Sequence, residues 1–251
     1  MQGIQIEIKE LSCDFGGPKI FNGINLEIGA GEFVSLVGDS GCGKTTLLLL
    51  MAGLIKPCAG SVKLGGKDAS TADASIGFVF QDYALFPWMT VRSNLLFGRQ
   101  AKRRTNREEF VAETLESVGL SGCEGKYPHE LSGGMRQRAG LARSLANDPS
   151  VLFLDEPFGA LDSRTRQSMQ FLIEKLWIEK KITIVFVTHD LDEAILLSDR
   201  VFICQKGDST ELKEVRVTFP RPRARHQLLA SLEFSKLRAM IREATCRGTN
   251  L

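Results

Sequence analysis

The stretch EFVSLVGDSGCGKTTLLLL, residues 32–50, decides the architecture of this chain. EFVSLVG at 32–38 is a short apolar run, the pattern of a strand buried on both faces. GDSGCGKT at 38–45 follows at once and matches G-x-x-x-x-G-K-[ST], and the apolar residues after it predict a helix over 44–55. Gly38, Gly41 and Gly43 allow the backbone to wrap a phosphate with its N–H groups inward, and the following helix adds its positive end. Lys44 is placed to reach β- and γ-phosphates, Thr45 to ligate Mg²⁺ through its hydroxyl, and Thr46 to contact a phosphate oxygen. A glycine turn that happened to precede Lys-Thr would not require the strand before it or the helix after it.

Working outward, SIGFVFQD (75–82), VLFLDEP (151–157) and ITIVFVTHD (182–190) repeat the buried-strand pattern. Helical patterns at about 107–118, 134–146 and 163–179 alternate with them, so the expected class is α/β, a parallel-sheet core of the P-loop NTPase kind. Segments 4–9, 24–28 and 61–64 alternate apolar with polar and predict an antiparallel sheet. Residues 88–150 break the βα rhythm, with turn signals at GLSGCEGKYP (119–128), and read as an inserted helical subdomain. Beyond Gly207, Val215, Val217 and Phe219 predict a strand, and Leu228, Leu232, Leu237 and Ile241 a helix over 225–245. The expected division is a core at 1–87 that includes the antiparallel β subdomain, a helical subdomain at 88–150, the rest of the core at 151–207 and a basic tail at 208–251.

Composition limits the function classes. The 251 residues are 43% hydrophobic and 25% charged with a net charge of +2, which suits a globular chain and gives no overall basic face for nucleic acid. The local basic run RVTFPRPRARHQ (216–227) reads as a solvated terminal face. The longest apolar run, TLLLLMAGLI at 46–55, is roughly half of the ~20 residues a membrane span needs. The alternating N-terminus MQGIQIEIKE has no basic start or apolar export region, so a cytoplasmic location is expected. Cysteines 13, 42, 58, 123, 204 and 246 show neither C-x-x-C pairing nor histidines at metal-ligand spacing, and read as reduced thiols.

Polar residues close each apolar strand, and in a parallel α/β sheet the carboxyl ends of strands line one crevice. Asp155 is suited to the Mg²⁺ shell and Glu156 to polarising a water as general base, although a strand-end acidic pair is also an ordinary helix cap. Gln81 offers an amide oxygen to metal or water and His189 a donor to a γ-phosphate; each alone would more often be structural. LSGGMRQR (131–138) sets Ser132, Gly133 and Gly134 before a helix, a second anion site far along the chain from Lys44. One nucleotide has no use for both, so the second site is expected to serve a nucleotide held by another copy, two chains enclosing two ATPs head to tail. In isolation the same residues would suffice as a helix cap.

Together these motifs resemble the ATP-binding subunit of an ABC transporter over nearly all of residues 4–207. The resemblance rests on GDSGCGKTT, Gln81, LSGGMRQR as the signature, VLFLDEP, GALD (159–162) and THD with His189, in the family's order. It implies a nucleotide-binding set of Phe15, Gly38, Asp39, Ser40, Gly41, Cys42, Gly43, Lys44, Thr45, Thr46, Ser132, Gly133 and Gly134, with Phe15 stacking on adenine. It implies catalysis by Glu156, His189, Lys44 and Gln81, and a metal shell of Thr45, Gln81 and Asp155, with ATP and Mg²⁺ as cofactors. Met135 stands where the family signature carries Gln, a departure that bears on a contact near the ribose and not on hydrolysis. Phe86, Pro87 and Trp88 fall in a stretch expected to be loop. They either pack under the helical insert or, as the resemblance implies, line a groove for a membrane permease. The wording LFPWMTV and VTFPRPR is similar to importers of the nitrate, sulfonate and taurine type. That resemblance implies a dimeric ATPase at the inner face of the membrane, permease subunits and a solute-binding protein. The alternatives are another permease, for lipid or other solute, and a non-transport ABC ATPase.

Overall fold

The computed structural model describes residues 3–71, 76–82, 84–97, 106–207 and 209–246. They fall into two compact units, a P-loop unit with the described residues of 3–73 and 183–251 and a signature unit with those of 74–182. The P-loop unit begins with β1 (Ile6–Cys13), β2 (Phe21–Ile28), β3 (Phe33–Gly38), α1 (Lys44–Met51), β4 (Ala59–Leu64) and β5 (Lys67–Asp68). The signature unit follows with β6 (Ile76–Val79), α2 (Val91–Leu95), α3 (Arg107–Ser117), α4 (Gly133–Leu145), β7 (Val151–Asp155) and α5 (Ser163–Lys180). The chain then returns to the P-loop unit with β8 (Thr183–Val187), α6 (Leu191–Leu197), β9 (Arg200–Gln205), β10 (Glu211–Arg216), α7 (Arg225–Leu229) and α8 (Leu232–Cys246).

Within the P-loop unit, β3 runs parallel to β8 on one side and β9 on the other, and β10 pairs antiparallel with β9. Phe33, Val34, Ser35, Leu36 and Val37 are all buried, as are all five residues of β8. Burial of such strand side chains, worth about 1.5–3 kcal/mol each, fixes the platform from which the glycine loop leaves. The antiparallel sheet has the order β2-β1-β4-β5. In the signature unit β6 and β7 pair in parallel; β7 is wholly buried while β6 alternates.

The helix expected over 44–55 is α1 at Lys44–Met51, and the strand expected from Val215, Val217 and Phe219 is β10 at Glu211–Arg216, which leaves Val217 and Phe219 outside it. Two further boundaries differ from the sequence reading, each for a local reason. Strand β1 runs on to Cys13 because a bulge at Lys9 and Glu10 resets its inward face from Ile6 and Ile8 to Leu11 and Cys13. Glu10 takes φ 48° there, and Gly60, at φ +80°, lies so close that a Cβ would stand 2.3 Å from the Glu10 carbonyl oxygen. The C-terminal helix expected over 225–245 is two helices. The Ser231 hydroxyl donates to the Leu228 carbonyl and accepts from Phe234 N–H, ending α7 and starting α8.

The tail expected to be a solvated basic face is only partly so. Arg223 is buried and one of its guanidinium nitrogens donates to the carbonyls of Ile195, Leu196 and Ser198, closing the C-terminal end of α6. Arg221 pairs with Asp199 at 3.0 Å. Apolar contact draws them in: Val217, Phe234 and Ile241 join the cluster around Val37, Val201 and Ile203. Among the described residues, no helix is long and apolar enough to cross a membrane.

Gly60→Ala is expected to lower the unfolding free energy by about 2–4 kcal/mol, combining left-handed strain with the clash against the bulge. Gly66→Ala, which has the same φ of +80° but open space around its Cβ, is expected to cost only about 1–2 kcal/mol. Urea denaturation of the two variants checks the difference.

Candidate functional site

The glycine loop is shaped by close approach. At Gly38 a Cβ would lie 2.5 Å from the Cys204 carbonyl oxygen, and at Gly43, φ +93°, it would lie 2.8 Å from both Ile20 and Phe21. Gly41, at φ +78°, faces open space. The loop is pinned from outside by Thr210, whose hydroxyl donates to the Cys42 carbonyl at 2.8 Å. Helix α1 starts at Lys44 with Gly43 as N-cap and no side-chain cap bond, so no side-chain cap of its own competes with an anion there. The Lys44 ammonium is buried, donates to the carbonyls of Gly38 and Asp39 at 2.8 Å each, and lies 3.8 Å from Cys42 Sγ.

These residues fit a nucleotide phosphate. A Cβ at 38 or 43 would clash with its neighbours, and a buried cation sits inside the loop on the carbonyls of Gly38 and Asp39. Asp39, Ser40 and Thr45 are exposed around it and Thr46 is half-buried. Phe15 stands in the loop after β1, 70% exposed, as a ring available for stacking must be.

His189 is exposed between two fixed neighbours in the same unit. Asp190 caps α6 by accepting from Asp192 and Glu193 N–H, and Thr188 donates to the buried Glu193 carboxylate at 2.7 Å. Sequence reading missed Thr188, Asp190 and Thr210. The D-x-x-E spacing of Asp190 and Glu193 at the start of a helix could have revealed Asp190; Thr210 left no signal.

The signature unit carries the remaining expected residues. Asp155 is buried at the end of β7, and Glu156 next to it takes φ 43°, a left-handed conformation unusual for a side-chain-bearing residue. Gln81 is exposed just after β6. Ser132 caps α4, its hydroxyl accepting from Met135 N–H at 3.3 Å, while Gly133 and Gly134 are half-buried. Gly134 has a packing reason as well, since a Cβ there would stand 2.4 Å from the Thr165 methyl of α5. Asp162, the last residue of GALD, caps α5, and hydrogen bonds from the Thr165 hydroxyl first, then from the Thr165 and Arg164 N–H groups, hold its carboxyl below the usual range. The aligned donors could take oxygen-rich anions, and the carboxylate and hydroxyl oxygens suit a hard cation such as Mg²⁺.

Residues 84–90 form neither helix nor strand, and their aromatic side chains make a shelf in this unit. Phe86 packs on Phe97 at 4.5 Å and Trp88 at 5.5 Å between ring centroids, with the Arg143 guanidinium 4.3 Å above its ring. Trp88 remains 70% exposed. Buried Asn94 holds the loop, accepting from Phe86 N–H and donating to the carbonyls of Phe86, Met89 and Thr90. Neither Asn94 nor Arg143 was picked out by sequence reading, because a polar residue inside a short helix has no distinctive spacing.

A buried strand, a glycine loop with an enclosed lysine and a helix define a P-loop nucleotide-binding protein. The chain belongs to the ABC transporter family, whose sequence pattern matches residues 21–159, and it is an ABC-type ATPase. It is 43% identical over 226 residues to the aliphatic sulfonates import ATP-binding protein of Zymomonas mobilis, covering 90% of this chain and 92% of that one. It is 44% identical over 220 residues to the nitrate import ATP-binding protein of Synechococcus elongatus, covering 86% of this chain and a third (33%) of that longer protein. Its fold matches a dimeric ATP-binding cassette in a post-hydrolysis state bound to ADP and Pi, with a TM-score of 0.73 and 32% identity, over 86% of this chain and all (100%) of the other.

Gly43→Ala is expected to weaken binding of a fluorescent ATP analogue by at least roughly a hundredfold, because the new methyl displaces Ile20 and Phe21 and with them the loop. Gly17→Ala, where a Cβ meets nothing within 4 Å, is expected to bind as the parent does.

Proposed function

We propose that this ATPase powers import of a small oxyanion or related solute such as nitrate, a sulfonate or taurine, working as a dimer docked on permease subunits at the inner face of the cell membrane. A solute-binding protein would complete the importer. The observation that carries this reading is the glycine loop closed around Lys44 in a chain whose relatives at 43% and 44% identity are sulfonate and nitrate import ATP-binding proteins.

In this reading Lys44 neutralises charge on the β- and γ-phosphates, the N–H groups of residues 38–46 cradle them, and Phe15 stacks on adenine. Thr45, Asp155 and Gln81 would hold Mg²⁺, which when bound supplies positive charge to the phosphate oxygens. Glu156 takes a proton from the attacking water and His189 donates to the γ-phosphate. Ser132, Gly133 and Gly134 receive the γ-phosphate of the ATP held by the second copy, which is why one chain carries two anion sites. These roles rest on the order of motifs along the chain, and so does the division into a core at 1–87 and 151–207, a helical insert at 88–150 and a tail at 208–251. The shelf of Phe86 and Trp88, half apolar and fixed by Asn94, is the surface proposed to meet the permease.

Glu156→Gln keeps the side chain's shape but removes its basicity, so hydrolysis is expected to slow by about 10²–10⁴-fold with ATP still bound. Light scattering should then show a dimer with ATP and Mg²⁺ and a monomer with ADP. Adding Ser132→Arg should abolish that dimer and keep ATP binding; a dimer equally stable with ADP would remove the shared-site reading. Replacing Phe86 and Trp88 together by Ala should weaken co-purification with the permease and leave the free chain's ATPase rate and circular dichroism unchanged.

A further inference from the structure

Beneath the glycine loop lies a pair of thiols that ATP hydrolysis does not use. Cys42, in the loop, and Cys204, on β9, are both buried in the P-loop unit. They meet over Gly38: a Cβ built on that glycine would stand 2.9 Å from Cys42 Sγ and 3.1 Å from Cys204 Cβ. Gly38 and Cys204 are register partners on adjacent parallel strands, so the pair is set by the sheet itself. The Cys204 thiol is near enough to Cys42 to favour its thiolate, and Lys44 Nζ lies 3.8 Å from Cys42 Sγ.

We propose that Cys42 and Cys204 are a peroxide-sensitive thiol pair whose disulfide reversibly switches off the nucleotide loop. This rests on the reading of residues 38–46 as the ATP-binding loop. The bond from Cys204 first, and the charge of Lys44 after it, hold the Cys42 thiol down to about 6, whereas Cys204, as donor to that sulfur in a buried place, is pushed up. Cys42 is therefore the attacking thiolate and Cys204 the resolving thiol.

Hydrogen peroxide is the oxidant. The Cys42 thiolate attacks one peroxide oxygen, the O–O bond breaks, and Cys42 becomes a sulfenic acid as hydroxide leaves. The Cys204 sulfur then attacks the Cys42 sulfur, the S–O bond breaks, and the departing hydroxide takes the Cys204 proton as water. In sum two thiols lose two electrons and two protons, and one peroxide becomes two waters.

The disulfide shortens the sulfur separation to ~2 Å from hydrogen-bond contact. Cys42 must move to allow this, straining the Thr210 bond to its carbonyl, and Gly41, at φ +78° in open space, is the neighbour free to turn. The N–H groups of residues 42–44 move with it, and Lys44 loses a negative partner inside the loop. The cradle then no longer matches a phosphate.

The test treats the intact purified protein with hydrogen peroxide, blocks free thiols, and maps disulfides by mass spectrometry while a fluorescent ATP analogue reports affinity. A Cys42–Cys204 linkage is expected, with affinity reduced at least roughly tenfold and restored by dithiothreitol. Cys204→Ser is expected to bind the analogue as the reduced parent does and to keep that affinity after peroxide. Cys13 and Cys58, which flank Asp14, remain in that variant, so a loss that persists in it assigns the effect elsewhere and overturns the proposal. So does a linkage between two chains through Cys42, or a Cys42–Cys204 linkage that leaves affinity unchanged, a result readable in the parent protein should Cys204→Ser fail to fold. Reduced parent protein that binds no ATP analogue would instead remove the nucleotide-loop reading on which the switch depends.

Discussion

The way the chain leaves β3 is the constraint on which the P-loop unit depends. Gly38 pairs in register with Cys204, and its missing side chain is what lets the backbone turn within 2.5 Å of where a Cβ would meet the Cys204 carbonyl. From that turn the loop closes over Lys44, whose ammonium is held by two carbonyls of the loop it belongs to. A buried cation already held by loop carbonyls is poised to take an anion at small reorganisation cost, because much of its desolvation has been met on folding. The strands on either side supply the rigidity: β8 and β9 pair along both edges of β3, and Thr210 ties the Cys42 carbonyl.

The signature unit uses the same economy at its own sites. Ser132 and Asp162 at helix starts accept backbone N–H groups that would otherwise be orphaned. Gly134 serves packing against Thr165 in addition to whatever it offers an anion, so one residue answers two demands. Glu156 holds a left-handed conformation directly beside buried Asp155, the kind of local strain that surrounding structure must over-determine and that collects at functional positions. The exposed Trp88 is affordable because Asn94 satisfies the backbone beneath it with four hydrogen bonds.

The sulfonate and nitrate relatives align with this chain over most of its length, and the dimeric cassette shares its fold at a TM-score of 0.73. These likenesses concern the nucleotide machinery. The cargo is chosen by chemistry outside an ATP-binding subunit, which is why nothing in the P-loop or the signature helix encodes it. The Cys42 and Cys204 pair belongs to this chain's own sulfur content and sits where a covalent change reaches the loop directly.

The sequence by itself determined the α/β class, the glycine loop, the strand-end acids and the Ser-Gly-Gly helix start, because each depends on residue types at short fixed spacing. Glycines near Lys44, apolar runs ending in Asp-Glu, and Ser-Gly-Gly before a helix are all local statements, and local stereochemistry carries them into structure. It also separated the alternating strands of the antiparallel sheet from the wholly buried β7 and β8, whereas β6, read as buried on both faces, alternates. Only the tertiary structure decided what happens where residues far apart in sequence meet. The bulge at Glu10 needs Gly60, the loop's anchor is Thr210, the cap of α6 is Arg223, and Cys42 finds Cys204 across two strands. Such partners are chosen by packing and by the need to satisfy buried polar groups, and neither leaves a periodicity in the chain.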